Sequence, residues 1–505
     1  MCGKCESFVH EFVGMGADCV TGTIGRLLDC SQNPSLKRIV NTLYYTNKTI
    51  RFDEGELMGN RISTAEAARR LSVSVRRVQE LVKSGMLDAE KVSGVWLVEE
   101  EAVERRARTV NKAGGRPPRG MGAYEEAFML MNRGHEIVEV IYDTRRREFT
   151  SMGELFDELR APVGIAPFGM PVTIADFNRW WRGRGIPGMR NGIDLLLREA
   201  GVEVPEELLR RNLGLSLSDQ YWIRPDKSGL EWAEVNFFNN DFDDIDARTA
   251  PYALDPNVHA RPENTSDGNL EKIWVVRDGV RMLRKGGLHN NQEPYNEVVA
   301  TALHRRILPQ GDYVEYGLEE TGLSAYSLCA NFLSDEEEYV PALYVERVLG
   351  ASGGGGAYDH YLECCDMLGA QGVAESLNHM IVCDDILANS DRHFRNFGLV
   401  RNVETLEWRP APIFDSGSCL WCDTDQAVLE RGERSFVSKQ FDANPGRQLL
   451  LVNDFSWLRP SDFRGFVDEA IEILSRNGAL DRRLPFVRSA LEWRIRRVLD
   501  IAEWS

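Results

Sequence analysis

The stretch "NSDRHFRNFG", residues 389–398, decides the fold more than any other part of the chain. It places Asp391 and Asn396 five positions apart. A short strand is predicted near residues 396–400. The stretch "FDSG", residues 414–417, begins at the end of a second apolar run, 412–414, and sets Asp415 ahead of a turn glycine. Taken singly, these aspartates could be a helix cap and a turn residue. Together they indicate one site.

The three polar side chains meet the needs of phosphoryl transfer. A carboxylate must orient the attacking hydroxyl and accept its proton, and hard oxygen ligands must hold Mg²⁺ against the phosphates. Asp391 and Asn396 have the spacing of the catalytic-loop Asp and Asn of protein kinases. We therefore predict Asp391 as the catalytic base, and Asn396 and Asp415 as metal ligands.

The region before this loop contains a predicted nucleotide-binding hairpin. Two apolar runs, 273–276 and 280–283, flank Asp278-Gly279, which is a hairpin signal, and a helix is predicted over 293–307. Lys285 ends the strand predicted from the second run, and we predict that it contacts the phosphates of ATP. Its expected partner is Glu297, with Glu293 as the alternative. The polar turn before the hairpin can offer backbone N–H groups to phosphates, so the further predicted ATP-binding residues are Ser266, Gly268 and Lys272.

These motifs, with "LLRRNLGLSLSDQYWIRP" at 208–225, resemble the HipA-like family of bacterial serine/threonine kinases over about residues 200–500. The resemblance implies ATP, Mg²⁺ and transfer to Ser or Thr hydroxyls of a protein substrate, often with autophosphorylation, here at Ser266. The loop 266–269 departs from the family in having one glycine and an acid, Asp267. The pattern "DRH…N" also resembles phosphoinositide kinases, so the acceptor class stays open.

A second motif lies between residues 62 and 101. Ser63 and Glu66 form a capping box, the turn 72–74 interrupts an apolar stripe, and a second helix carries Val78 and Val82 inward. The strand pair expected over 90–98 would form a wing. This arrangement resembles the excisionase/MerR-like winged helix-turn-helix, which implies double-stranded DNA as a partner, although a protein-interaction module is the alternative. The predicted DNA-binding residues are Ser74, Arg76, Arg77, Gln79 and Lys83.

The charge distribution supports a separate DNA-binding module. The chain of 505 residues has a net charge of -18, yet residues 60–119 carry 13 Lys/Arg against 8 Asp/Glu. A local charge of +5 suits phosphate contacts. The fold class predicted is multidomain α+β, a winged helix-turn-helix followed by a bilobal protein-kinase-like fold. The predicted divisions are an unassigned segment 1–59, the DNA-binding domain 60–110, a linker 111–122, an accessory region 123–262, and kinase lobes 263–350 and 357–505.

Composition excludes other classes. No apolar run approaches the roughly 18 residues of a membrane span, and the first residues lack the pattern of a secretory signal. We expect a cytoplasmic protein without a membrane partner, whose ten cysteines are free thiols. Zinc at Cys2, Cys5, Cys19 and Cys30 is the weaker alternative. For the acidic run 241–246, a hydrated loop is expected in preference to a metal site.

The sequence thus predicts an ATP- and Mg²⁺-dependent kinase coupled to a DNA-binding module. HipA-like toxins pair with a separate DNA-binding antitoxin, and an antitoxin partner is compatible with this chain but not implied by it. Two alternatives stay open: a DNA-binding regulator whose kinase-like half only senses nucleotide, and a phosphotransferase that acts on a lipid or small molecule.

Overall fold

The computed structural model describes residues 61–64, 67, 78, 82, 87–92, 95–100, 102–103, 122, 124–186, 197, 204–249, 261–262, 270–322, 324–350, 355–432 and 435–504. The chain divides into two compact units, 1–118 and 119–505. Their boundary falls within 111–122, and the finer division into accessory region and lobes stays a prediction.

The first unit contains a three-stranded antiparallel sheet. Its strands are β1 (Arg61–Ser63), β2 (Ala89–Val92) and β3 (Val95–Glu99), in the order β1-β3-β2. β2 and β3 are the strand pair expected around Ser93-Gly94, since Val92 pairs with Val95. Val78 and Val82 are buried beside this sheet. The winged helix-turn-helix itself is not shown, and all five predicted DNA-binding residues lie outside the described residues.

The second unit begins with a four-stranded antiparallel sheet, in the order β6-β5-β4-β7. The strands are β4 (Glu125–Asn132), β5 (His135–Asp143), β6 (Glu148–Met152) and β7 (Tyr221–Pro225). Helix α1 (Ile174–Arg182) begins at a Thr173–Asp176 capping box and packs on β6. Phe149 meets Phe177 and Trp181 edge to face, at ring-centroid distances of 5.0 and 5.3 Å. Aromatic contacts therefore fix α1 on the sheet.

Three short helices follow in this region: α2 (Pro205–Arg211), α3 (Trp232–Val235) and α4 (Phe242–Thr249). The acidic run 241–246, expected to be a hydrated loop, instead lies mostly in α4. Asp243 and Asp244 fall in the first turn of that helix, where negative charge is favoured by the helix dipole.

A second four-stranded sheet has the order β10-β11-β9-β8. Its strands are β8 (Lys272–Arg277), β9 (Val280–Lys285), β10 (Tyr316–Thr321) and β11 (Ser324–Ala330). The predicted hairpin is confirmed: Asp278 and Gly279 have φ of 50° and 79°, as a two-residue turn with both centres left-handed requires. The predicted helix is also found, as α5 (Glu293–Ile307), which packs on β10 and β11.

A three-stranded antiparallel sheet lies next to the "NSDRHFRNFG" loop. Its strands are β12 (Glu337–Pro341), β13 (Gly398–Asn402) and β14 (Trp408–Pro410), in the order β12-β13-β14. The strand expected near 396–400 is β13. The strand expected over 412–414 is wrong, because Ile413 forms only an isolated bridge with Tyr313. Pro410 and Pro412 lack the N–H donors that a continuing ladder needs.

The rest of the second unit is mainly helical. α8 forms its centre, since every residue from Leu377 to Leu387 is buried. No helix in the described part of the chain is long and apolar enough to cross a membrane. The helices are α6 (Ala342–Val345), α7 (Ala357–Leu368), α8 (Val373–Leu387), α9 (Gln426–Glu430), α10 (Pro445–Leu449), α11 (Phe466–Ser475) and α12 (Leu484–Trp504).

A buried ion pair joins the β4–β7 sheet to β12 and β13. Arg401 donates to Glu338 Oε1 at 2.6 and 2.9 Å, and to the Tyr221 hydroxyl at 2.8 Å. Asn132 donates to the other carboxylate oxygen of Glu338 at 2.8 Å. Each charge is thus neutralised and hydrogen-bonded, as burial of charge demands.

We predict that Glu338→Gln destabilises the protein by about 3–5 kcal/mol, because it leaves the Arg401 charge buried and uncompensated. Urea unfolding followed by circular dichroism measures the change. The control is Glu337→Gln, which breaks a more exposed pair with Arg409 and should cost only about 0–1 kcal/mol. Equal losses in both variants would contradict the role given to the buried pair.

Candidate active site

Lys285, the last residue of β9, is the centre of a buried charge cluster. Its side chain is 4% exposed. Its ammonium lies 2.7 Å from Asp415 Oδ1, 3.2 Å from Glu297 Oε1 and 3.3 Å from the Tyr316 hydroxyl. The cluster therefore joins β9, α5, β10 and the "FDSG" turn around one cation.

The opposite charges of Lys285 and Asp415 stabilise each other. Burial lowers the pKa of Lys285, but Asp415, Tyr316 and Glu297 outweigh it and hold that pKa well above its usual value. Burial likewise raises the pKa of Asp415, yet the positive charges of Lys285, Lys272 and Arg392 keep it below its ordinary range. For Glu297 burial prevails, and its pKa is raised despite Lys285. At neutral pH the lysine is charged and Asp415 is ionised.

Contacts from two elements position Asp415. Its backbone is left-handed, with φ of 56°, a conformation that is uncommon for a residue other than glycine. Its N–H donates to the Tyr316 hydroxyl at 3.2 Å, and the next N–H, of Ser416, donates to Glu297 Oε2 at 3.0 Å. A Cβ at Gly417 would lie 3.2 Å from Glu293 O and Glu297 Cγ. Glycine thus allows the turn to pack closely on α5.

The "NSDRHFRNFG" loop is held by hydrogen bonds to its own backbone. The Asp391 N–H donates to Asn389 Oδ1 at 3.1 Å. The Asp391 carbonyl accepts from Asn396 Nδ2 at 3.1 Å and from the His393 N–H at 2.8 Å. The Asp391 side chain is 36% exposed, and its Oδ1 lies 2.5 Å from Lys439 Nζ. The loop therefore fixes the Asn396 side chain and the Asp391 backbone while leaving the Asp391 carboxylate accessible.

Arg392 ties this loop to the "FDSG" turn. Its side chain is fully buried and forms a bidentate salt bridge with Asp384. Arg392 Nε donates to Asp384 Oδ2 at 3.0 Å, and Nη2 donates to Oδ1 at 3.1 Å. Its other hydrogen bonds reach Ser416 Oγ at 2.9 Å, the Asn396 carbonyl at 2.9 Å and the Phe414 carbonyl. One guanidinium thus fixes Asn396 and the residues on both sides of Asp415.

The structure brings most predicted side chains together. Lys285, Glu297 and Asp415 are in direct contact, and Glu293, the alternative partner, instead lies 2.6 Å from His289 Nδ1. Lys272 pairs with Lys285 across the β8–β9 ladder. Ser266 and Gly268 lie outside the described residues.

Sequence reasoning missed four residues at this site: Tyr316, Asp384, Arg392 and Lys439. Arg392 stood inside the quoted motif, but it is one of two arginines between Asp391 and Asn396, and the sequence does not distinguish it from Arg395. Asp384 lies only eight residues before Arg392, on α8, where it is buried like its neighbours. Tyr316 and Lys439 reach the site from 99 and 48 residues away, and no local pattern marks them.

A buried lysine paired with a helix glutamate, a loop with Asp and Asn five apart, and a following Asp before a turn glycine have the pattern of a kinase site. No protein-family model matches the chain. Over 48 residues the chain is 44% identical to the serine/threonine-protein kinase CtkA of Helicobacter pylori (strain J99), a stretch that covers 10% of this chain. The chain matches only 15% of the length of that curated relative.

Two solved structures are similar in part. The crystal structure of the proinflammatory kinase CtkA of Helicobacter pylori aligns with a TM-score of 0.35 and 19% identity, over 46% of this chain and 92% of its own. HipA of Shewanella oneidensis MR-1, in a complex with HipB and operator DNA, aligns with a TM-score of 0.44 and 13% identity, over 74% and 99%. The similarity in sequence to a kinase is thus confined to 48 residues, 10% of this chain.

We predict that Arg392→Lys leaves the fold intact but loosens both loops. Lysine keeps the charge beside Asp384, yet a single ammonium lacks the planar fork that reaches the other acceptors together. Amide hydrogen exchange should become faster in residues 389–398 and 414–417 at once. The exposed Arg409→Lys serves as the control and should change neither loop, whereas unchanged exchange in the Arg392 variant would count against its linking role.

Proposed function

We propose that the second unit is an ATP- and Mg²⁺-dependent kinase that phosphorylates Ser or Thr hydroxyls of a protein substrate, with Ser266 of its own chain as one candidate acceptor. The observation that carries the proposal is the contact of one buried lysine, Lys285, with both Glu297 and Asp415. A purely structural pair needs one counter-charge, whereas this lysine is held between two carboxylates that meet from different elements.

The available donors suit Mg²⁺. Asn396 and Asp415 supply an amide oxygen and an ionised carboxylate, the hard oxygen ligands that this ion prefers. The donor end of the Asn396 amide is already bound to the Asp391 carbonyl, so its oxygen is the atom left for a metal. Bound Mg²⁺ would neutralise charge on the phosphates during transfer.

Asp391 would act on the acceptor. Its partly exposed carboxylate can orient a hydroxyl and accept its proton as the oxygen attacks phosphorus. Lys285 would contact the phosphates of ATP, and Glu297 would hold that lysine in position. Each assignment uses a residue whose backbone or side chain is fixed by the contacts described above.

We predict different losses in Asp391→Asn and Asp415→Asn. The first removes the basic oxygen but keeps the size, so it should bind ATP·Mg²⁺ normally and transfer phosphate about 10²–10⁴-fold more slowly. The second removes a charge from the metal site and should weaken Mg²⁺-dependent nucleotide binding. Labelled ATP and calorimetry measure transfer and binding in the same preparations.

The control for both variants is Asp366→Asn, which alters an exposed carboxylate of α7 and should retain wild-type values. Wild-type transfer by Asp391→Asn would refute the assignment of the base. Nucleotide binding without transfer to any protein, lipid or small acceptor would favour the nucleotide-sensing regulator. Label on a lipid or small molecule alone would favour that class of phosphotransferase.

We further propose that the first unit binds double-stranded DNA and couples it to the kinase. The β2–β3 hairpin fits the expected wing, and the local charge of +5 in an acidic chain provides attraction for phosphates. HipA of Shewanella oneidensis has been seen with HipB and operator DNA. In this chain the DNA-binding module would be covalently attached, so a separate antitoxin is compatible with the proposal without being required.

We predict that replacing Arg76 and Arg77 with Ala weakens DNA binding and flattens its salt dependence. Each lost phosphate contact should reduce the slope of log K against log salt by about 0.9. Fluorescence anisotropy on a mixed-sequence duplex at several salt concentrations measures this. Replacing Arg105 and Arg106 removes the same charge outside the predicted recognition helix. Equal effects in the two double variants would contradict specific placement of Arg76 and Arg77.

A further inference from the structure

A second lysine, Lys439, contacts the predicted catalytic base. Its ammonium lies 2.5 Å from Asp391 Oδ1, with the two side chains 51% and 36% exposed. An ion pair this exposed to solvent adds little to stability. Stability alone therefore gives little reason for a cation to stand at this carboxylate.

The backbone that carries Lys439 is nevertheless firmly anchored. Its neighbours Ser438 and Gln440 are both buried. Gln440 donates to Asp384 Oδ2 at 2.7 Å, and Gln448 donates to the side-chain oxygens of both neighbours. Asp384 is the carboxylate that also binds Arg392. The segment is thus fixed to the same buried acid as the "NSDRHFRNFG" loop, and Lys439 is the member of the triplet that remains accessible.

The two buried cations described above pair with carboxylates other than Asp391. Lys285 is held by Glu297 and Asp415, and Arg392 is buried against Asp384. Among the described residues, the cation in ion-pair contact with Asp391 is Lys439. An ammonium has three donors on a flexible stem, so Lys439 can contact Asp391 and a further anion at the same time.

We propose that Lys439 is a catalytic residue that contacts the transferred phosphoryl group, an inference that rests on the proposed kinase function. The acceptor oxygen forms its bond to the γ-phosphorus while the bond from that phosphorus to the bridging oxygen of ADP breaks. The electron pair of the broken bond leaves with ADP, and the hydroxyl proton passes to Asp391 and then to solvent. Lys439 orients the Asp391 carboxylate and neutralises the equatorial oxygens as their charge spreads.

The test compares Lys439→Met and Lys439→Arg with Arg447→Met. Arg447 pairs with Asp442 nearby along the chain and is 72% exposed, so its variant removes the same charge from the same surface. Lys439→Met should lower kcat about 10²–10³-fold, as loss of one preorganised donor does, with KM for ATP and Tm unchanged. Lys439→Arg should recover part of the rate, and Arg447→Met should retain all of it.

Three results would overturn the inference. The first is a wild-type kcat in Lys439→Met, and the second is a faster one, which would make the contact with Asp391 inhibitory. The third is a loss of rate that accompanies an equal fall in Tm in both Met variants, which would show a structural role. Failure of the kinase proposal looks different: the wild-type protein itself would then transfer no phosphate to any acceptor.

Discussion

Burial of one guanidinium constrains the whole candidate site. Arg392 is removed from water, so each of its donors must find an acceptor inside the protein. Its partners are a carboxylate of α8, two carbonyls and a hydroxyl from the loops that hold Asn396 and Asp415. Because a charge of this kind cannot be left unpaired, the two loops and α8 must keep their relative positions wherever the protein is folded.

Lys285 applies the same constraint to the other side of the site. It links β9 and α5 to the turn that contains Asp415, and Tyr316 adds a hydroxyl from β10. The two buried cations therefore share the "FDSG" turn between them. Lys439 differs in kind, since its position is fixed by buried neighbours while its own ammonium stays accessible. The site thus combines two rigid cations with one that retains freedom to move.

Local signals explain what the sequence could predict. The hairpin around Asp278-Gly279 and helix α5 follow from a turn dipeptide and an apolar pattern that lie within a few residues. The spacing of Asp391, Asn396 and Asp415 predicted one site, and Arg392 links the two loops that carry them, while their chemical roles stay a proposal. Tyr316 and Lys439 could not be found in this way, because their contacts depend on how distant elements pack. The expected strand over 412–414 failed at Pro412, whose missing N–H outweighs the apolar pattern.

The tie between Arg401 and Glu338 has a consequence for synthesis on the ribosome. The sheet β4–β7 is complete once the chain has passed Pro225, but the Asn132 amide donates to Glu338, and the Tyr221 hydroxyl, which itself donates to the Arg160 carbonyl, accepts from Arg401. At about 5–20 residues per second, Glu338 is made on the order of six to twenty seconds later and Arg401 on the order of ten to thirty-five seconds later. During that interval the Asn132 amide lacks the acceptor that it has in the complete fold. Synthesis of β13, the strand after the "NSDRHFRNFG" loop, supplies Arg401, so the β4–β7 sheet reaches its final stability only when the segment bearing that loop has been made.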